Sequence, residues 1–142
     1  MSQPRRYQTA SAEQTEALGE QLAARLSAGD VVLVEGELGA GKTTFVRGAA
    51  RALGVRTPVT SPTFTIGQRY PAPTPVAHID LYRVQTLSGE DPDLLADYVG
   101  PDTIAFVEWP QAADDELAAL ARVAARVQIE HGGGDRRLVV IR

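Results

Sequence analysis

Residues 36–43, GELGAGKT, place Gly36, Gly41, Lys42 and Thr43 at the spacing G-x-x-x-x-G-K-[ST], the pattern of a loop that cradles phosphate. Glycines at 36, 39 and 41 let the chain turn tightly and bring backbone N–H groups against phosphate oxygens, where a side chain would block the approach. Lys42 is the only lysine in a chain that carries 13 arginines. A compact ammonium fits between β- and γ-phosphates where a planar, forked guanidinium does not, which gives the lone lysine a reason to stand there. The Thr43 hydroxyl is a candidate ligand for Mg²⁺.

Binding phosphate is not yet chemistry on it. Hydrolysis or transfer also needs a carboxylate to support the metal or a water, normally at the end of a neighbouring apolar strand. Two positions qualify. The run TIAFVE ends in Glu108 after four apolar residues, and AHID ends in Asp80 after a less apolar strand. Each is weighed against a solvated strand-end acid. Thr60, Ser61 and Thr63, in VTSPTF, lie where a loop could reach a γ-phosphate, the alternative being an ordinary Ser-Pro turn. Trp109, the sole tryptophan, follows Glu108 on the opposite face of its strand, so packing in the core is its default. The core or a contact behind the site is the place for His78; Tyr82 and Arg83 are read as orienting the Asp80 loop, as a partner surface, or as a strand end entering solvent.

The elements that must position these groups follow from the periodicity. Leu18, Leu22 and Leu26 recur at helical spacing over residues 12–27, and Ser11 with Gln14 resembles a capping box that starts the helix near Ala12. VVLVEG (31–36) is a β-branched run of the kind buried on both faces. A helix over 42–53, capped by Gly54, follows the glycine loop. Further strands are expected at FTI (64–66), PVAHIDL (75–81) and TIAFVEW (103–109), separated by an exposed turn at PAPTP (71–75). Short helices are read at 91–98 and 114–124, and the tail ARVQIEHGGGDRRLVVIR forms an antiparallel hairpin. The whole is an α/β pattern: a mostly parallel central sheet, helices on its faces and an antiparallel edge.

Composition narrows the classes. The length of 142 residues and 44% hydrophobic content read as one nucleotide-binding domain over 1–142 with a single core. No apolar run approaches the roughly 20 residues that cross a bilayer, and no signal peptide is visible, so a cytoplasmic protein without membrane contact is expected. Lack of cysteine excludes disulfides, thiolate catalysis and Cys-based metal sites. A net charge of −4 argues against a surface that holds DNA or RNA by itself. Guanine selection through N-K-x-D is impossible in a chain without asparagine.

GELGAGKTTF, SPTFT, HIDLYR and VEWP, in this order, resemble the TsaE family (also called YjeE), small bacterial P-loop ATPases of tRNA threonylcarbamoyladenosine synthesis, over most of residues 11–111. HIDLYR followed by VEWP is the more particular part. The resemblance implies a three-layer α/β P-loop NTPase fold and ATP with Mg²⁺ as cofactors. Carried over by motif, Glu37, Leu38, Gly39, Ala40, Gly41, Lys42 and Thr43 would line the phosphates with Thr44 adjacent, and Thr43 and Glu108 would hold Mg²⁺. Asp80 would stand near the γ-phosphate or its water, Thr63 would be a switch-like catalytic hydroxyl, and Trp109 would support the nucleotide-dependent region. Ser11 and Ala12, and Gln111 beyond Trp109, would approach the adenine. The implied partners are the TsaB and TsaD proteins. ATP hydrolysis, weak alone and stimulated by them, would support the complex that modifies adenosine 37 of tRNA, the tRNA being met only through the complex. The segment QTLSGEDPDLLADYVG departs from the family pattern after HIDLYRV. A small-molecule kinase on the same loop is the alternative, disfavoured because residues 85–100, where a lid would sit, hold no arginine. A nucleotide-binding scaffold without hydrolysis would require Glu108 and Asp80 to be dispensable.

Overall fold

The computed structural model describes residues 3–37, 39–62, 66–82 and 95–142. Among these, seven strands form one sheet in the order β1-β7-β6-β2-β5-β4-β3. Its centre is the expected parallel layer: β2 (Asp30–Gly36) lies between β5 (Ile104–Glu108) and β6 (Arg122–His131), with β4 (Val76–Asp80) beyond β5. All four run in one direction. Both edges turn antiparallel, through β3 (Gly67–Tyr70) on one side and through β7 (Arg137–Ile141) and β1 (Arg5–Thr9) on the other.

Burial on both faces explains why β2 and β5 read as unbroken apolar runs instead of alternating ones. On one face Val32, Val34, Phe106 and Val127 pack beneath α1 (Ala12–Ala23) and α2 (Lys42–Ala52) through Leu18, Leu22, Phe45 and Val46. On the other, Val31, Leu33, Ile79, Ala105 and Val107 cluster with Leu95 and Val99, which precede β5, and with Leu117 of α3 (Asp114–Leu120). Helices therefore cover the sheet on two sides. The α1–α2 contact is close enough that a Cβ on Gly48 would stand 2.1 Å from the Glu16 carbonyl oxygen, and one on Gly19 would stand 2.2 Å from that of Phe45. Outside this crossing, Arg51 pairs with Glu16 and Glu20.

The expected caps are present. Ser11 Oγ accepts from Gln14 N at 3.2 Å, and the Gln14 side chain reaches back one residue further than a strict capping box, to Ala10 N at 2.7 Å. Gly54 ends α2 at φ +97°, with its amide on Arg51 O. The PAPTP segment links β3 to β4.

Four boundaries differ from the sequence reading. The helix expected over 12–27 ends at Ala23, and Leu26 packs against the core from the chain beyond it. The helix expected over 114–124 stops at Leu120, and Arg122–Ala124 already belong to β6, because Arg122 and Val123 pair with Asp30 and Val31 of β2. Tertiary pairing overrides the helical pattern there. Of the strand expected at 64–66, residues 64 and 65 lie outside the described residues and Ile66 is a bend; the strand begins at Gly67. The helix expected over 91–98 lies partly outside them too, and its described part, 95–98, is a turn. Strand β1 had no periodic signal in RRYQT and is recruited by its ladder to β7.

Candidate phosphate-binding site

The C-terminal ends of β2, β4 and β5 share one edge of the sheet, since Val34 is paired with Glu108 and Asp80 with Glu108. A phosphate loop after β2 and two strand-end acids are thereby brought together from positions far apart in sequence. Gly36 is required by its neighbour strand: a Cβ there would lie 2.3 Å from Ile129 O of β6. Gly41 caps α2 at φ +100°, a conformation that other residues adopt only under strain. The first amides of α2 have no carbonyl one turn earlier and face the site with the positive end of the helix dipole.

Lys42, Thr43, Thr44, Gly39, Gly41, Ser61, Asp80, Glu108 and Trp109 line one cavity of about 330 Å³. Lys42 is buried, and its ammonium donates to Gly36 O at 2.7 Å and Glu37 O at 2.8 Å while lying 4.4 Å from the centre of the Trp109 ring. Burial pushes its pKa down, partly offset by Glu108 and then Asp80. The Thr43 hydroxyl donates to Glu108 Oε2 at 2.9 Å. Having spent its one proton there, Thr43 must accept from Ser61 in the 2.7 Å contact between the two hydroxyls.

Glu108, 3% exposed, also meets His78 Nε2, and His78 is wholly buried with Nδ1 unpartnered. A proton on Nε2 is thereby directed at the carboxylate. Asp80 is half-buried, and Oδ1 accepts from Tyr82 N at 2.9 Å. Its carboxyl is pushed up by burial, pulled back by the Tyr82 amide and pushed up again by the charge of Glu108.

Among the described residues no three His, Asp or Glu side chains form a metal cluster. Thr43 and Glu108 offer two adjacent oxygens, which suits Mg²⁺, a cation that keeps several waters and takes further ligands from substrate phosphates.

The sequence reading placed Gly39, Gly41, Lys42, Thr43, Thr44, Asp80 and Glu108 together, and the cavity contains all seven. Ser61 of the hydroxyl-rich loop joins them, whereas Thr60 offers its carbonyl to Tyr70. Glu37 acts through its backbone, and Ala40 is buried with its amide on Glu37 O. Leu38, Thr63 and Arg83 lie outside the described residues. Trp109 packs, half-buried, against the core cluster on the face opposite Glu108, and it also reaches the site. The strand ends at Glu108, and Trp109 adopts the left-handed region (φ 57°, ψ 58°), which turns its half-buried ring onto Lys42 and Tyr82, 5.0 Å between ring centres.

A second cavity, about 500 Å³, lies at the same end of the sheet between Thr9, Ala10 and Gln14 on one side and His131, Arg136 and Arg137 on the other. It adjoins the start of α1, where the family resemblance put the adenine. Its walls are Ala10 and Gln14; Ala12 and Gln111 are exposed and line neither cavity. Arg137 was not singled out in the sequence, and nothing in its neighbourhood of the chain marks it.

No helix among the described residues is long and apolar enough to cross a membrane. The family model for threonylcarbamoyl adenosine biosynthesis protein TsaE matches residues 9–139. The chain is 42% identical over 121 residues to the tRNA threonylcarbamoyladenosine biosynthesis protein TsaE of Streptomyces coelicolor, covering 83% of this chain and 80% of that one. It is 37% identical over 134 residues to the protein of the same name from Bacillus subtilis, covering 93% and 81%. The crystal structure of Bacillus subtilis YdiB superposes with a TM-score of 0.75 at 30% identity, over 99% of this chain and 86% of that one.

Proposed function

The chain belongs to the TsaE family of threonylcarbamoyl adenosine biosynthesis, and from that premise we propose that it is a Mg²⁺-dependent ATPase subunit of the tRNA N6-threonylcarbamoyladenosine machinery, working with TsaB and TsaD in the cytoplasm. One observation carries the nucleotide part: Lys42, Thr43, Asp80 and Glu108, drawn from three separate segments, converge on one cavity at the mouth of a glycine loop.

In this reading the triphosphate lies along the amides of residues 39–44. Lys42 leaves the carbonyls of Gly36 and Glu37 for phosphate oxygens, which relieves the burial of its charge. Thr43 and Glu108 are already hydrogen-bonded to one another and are the side chains that would hold Mg²⁺; when bound, the ion neutralises charge on the phosphates. His78 keeps the Glu108 carboxylate oriented. Asp80 orients a water for attack on the terminal phosphorus and draws its proton, a role favoured by the upward displacement of its pKa; the bond to the bridging oxygen breaks and ADP leaves. The second cavity takes the nucleobase, with Ala10 and Gln14 at its wall and Ala12 close by in the chain.

The test is phosphate release from Mg-ATP with and without TsaB and TsaD. Slow turnover alone and acceleration by the two proteins is the expected result. Turnover that ignores them and rises with a small metabolite would replace this reading with a kinase.

A further inference from the structure

Arg137 opens β7, yet its guanidinium reaches across the hairpin to a loop almost a hundred residues earlier in the chain. Nε donates to Ala40 O at 2.8 Å, and one terminal nitrogen lies 3.4 Å from Gly39 O. The other terminal nitrogen donates to Gly134 O at 2.8 Å and Arg136 O at 2.7 Å, so the fork is itself anchored in the turn between β6 and β7. That turn is closed by bonds between Gly132 and Arg136 and between Arg136 and Gly133. Among the described residues no carboxylate pairs with Arg137.

We propose that Arg137 is a positioning residue that fixes the peptide between Ala40 and Gly41 in the orientation phosphate binding requires. In a trans peptide the C=O and N–H point in opposite directions, so tying Ala40 O to the guanidinium aims the Gly41 N–H away from it. Gly41 lines the phosphate cavity and Arg137 lines the other one. The Ala40 amide is already committed to Glu37 O, so the Ala40–Gly41 unit is the part of the crown whose donor Arg137 sets.

Without the tie this unit can flip. A flip turns ψ of Ala40 and φ of Gly41 together, and Gly41, at φ +100°, crosses between positive and negative φ more readily than any residue with a side chain. A flip would present a carbonyl oxygen to the phosphate in place of an amide. A lysine at 137 would keep the charge and lose the fork, because it is a point charge without paired donors.

The inference rests on the phosphate reading of the loop, and the experiment separates the two. Mg-ATP binding is titrated calorimetrically to the wild-type chain, Arg137→Met and Arg137→Lys, each checked for folding by circular dichroism. If the wild type itself does not bind, the phosphate reading falls. If it binds, both variants are expected to be weaker by about tenfold or more, the worth of a charge-assisted hydrogen bond. Arg137→Met at wild-type affinity would overturn the inference alone, and so would full recovery in Arg137→Lys, which would leave charge and not orientation as the cause.

Amide exchange on the wild type keeps the test open if the variants do not fold. Mg-ATP should slow exchange in the hairpin turn at 132–136 together with residues 39–43. Protection of the loop with no change in the turn would reject the coupling.

Discussion

The Thr43 hydroxyl donates to Glu108 Oε2 at 2.9 Å, joining the first turn of α2 to the last residue of β5. The same oxygen of Glu108 faces His78, so a single carboxylate oxygen holds a loop hydroxyl and a buried imidazole in register. Glu108→Gln keeps the shape of this junction, with the amide oxygen in the place of Oε2 still able to accept from Thr43 and His78. The variant should fold and bind ATP, while Mg²⁺-dependent turnover should fall by about two orders of magnitude, on the several kcal/mol that metal neutralisation of phosphate charge is worth. Phosphate release at the wild-type rate would contradict the assignment of Glu108.

Lys42→Ala removes the ammonium that stands over Trp109. Affinity for Mg-ATP should drop by about a hundredfold, the loss of two charged hydrogen bonds to phosphate. Because Trp109 is the sole tryptophan, its emission should report the departure of the cation when Mg-ATP binds the wild type. A nucleotide-dependent change of emission that survives in Lys42→Ala would show that the ring senses something else.

Asp80 supplies a pH signature. Burial raises its carboxyl above the ordinary 3.8, so its contribution to stability is complete below that value and is lost as pH rises through the raised one. Asp80→Asn removes this loss while its side-chain oxygen still accepts from Tyr82 N. The ligand-free variant should melt higher than the wild type at pH 7, the gap closing on acidification below 3.8, and turnover should fall by about a hundredfold or more. Scanning calorimetry across pH checks the first part, and a wild type that melts higher at pH 7 would refute it.

Gly48→Ala tests the helix crossing apart from the site. The added Cβ would stand 2.1 Å from the Glu16 carbonyl oxygen, which forces α1 away from α2. Overpacking should cost about 1–3 kcal/mol, outweighing the gain in helix propensity of about 1 kcal/mol. Urea unfolding measures the loss, and Mg-ATP affinity of the folded fraction should remain that of the wild type.

The site was legible where chemistry is local in the chain. The glycine spacing, the lone lysine and the apolar strands ending in acids each carry a pattern, and they point to residues that the sheet then gathers. Contacts made across the sheet left no such trace. His78 looks like any alternating strand residue until β4 is placed beside β5, and Arg137 is one of 13 arginines until the hairpin folds back against the loop. The contact of Trp109 with Lys42 and Tyr82, beside its packing against the core, was not legible because its left-handed backbone depends on how the chain leaves the strand. The end of α3 was misread because pairing with β2 decided it.

On the proposed reading, the hold that Gly36 and Glu37 keep on Lys42 would make the loop a threshold device. A small anion offering the ammonium one or two oxygens merely replaces what the carbonyls and the indole already give, so free orthophosphate gains little by entering. On the proposed reading a polyphosphate arriving with its metal would engage the amides, the hydroxyl and both acids at once, and only such a guest would displace the resting arrangement. Self-occupation of the cation would thus filter anions by how many anchors each can seize together.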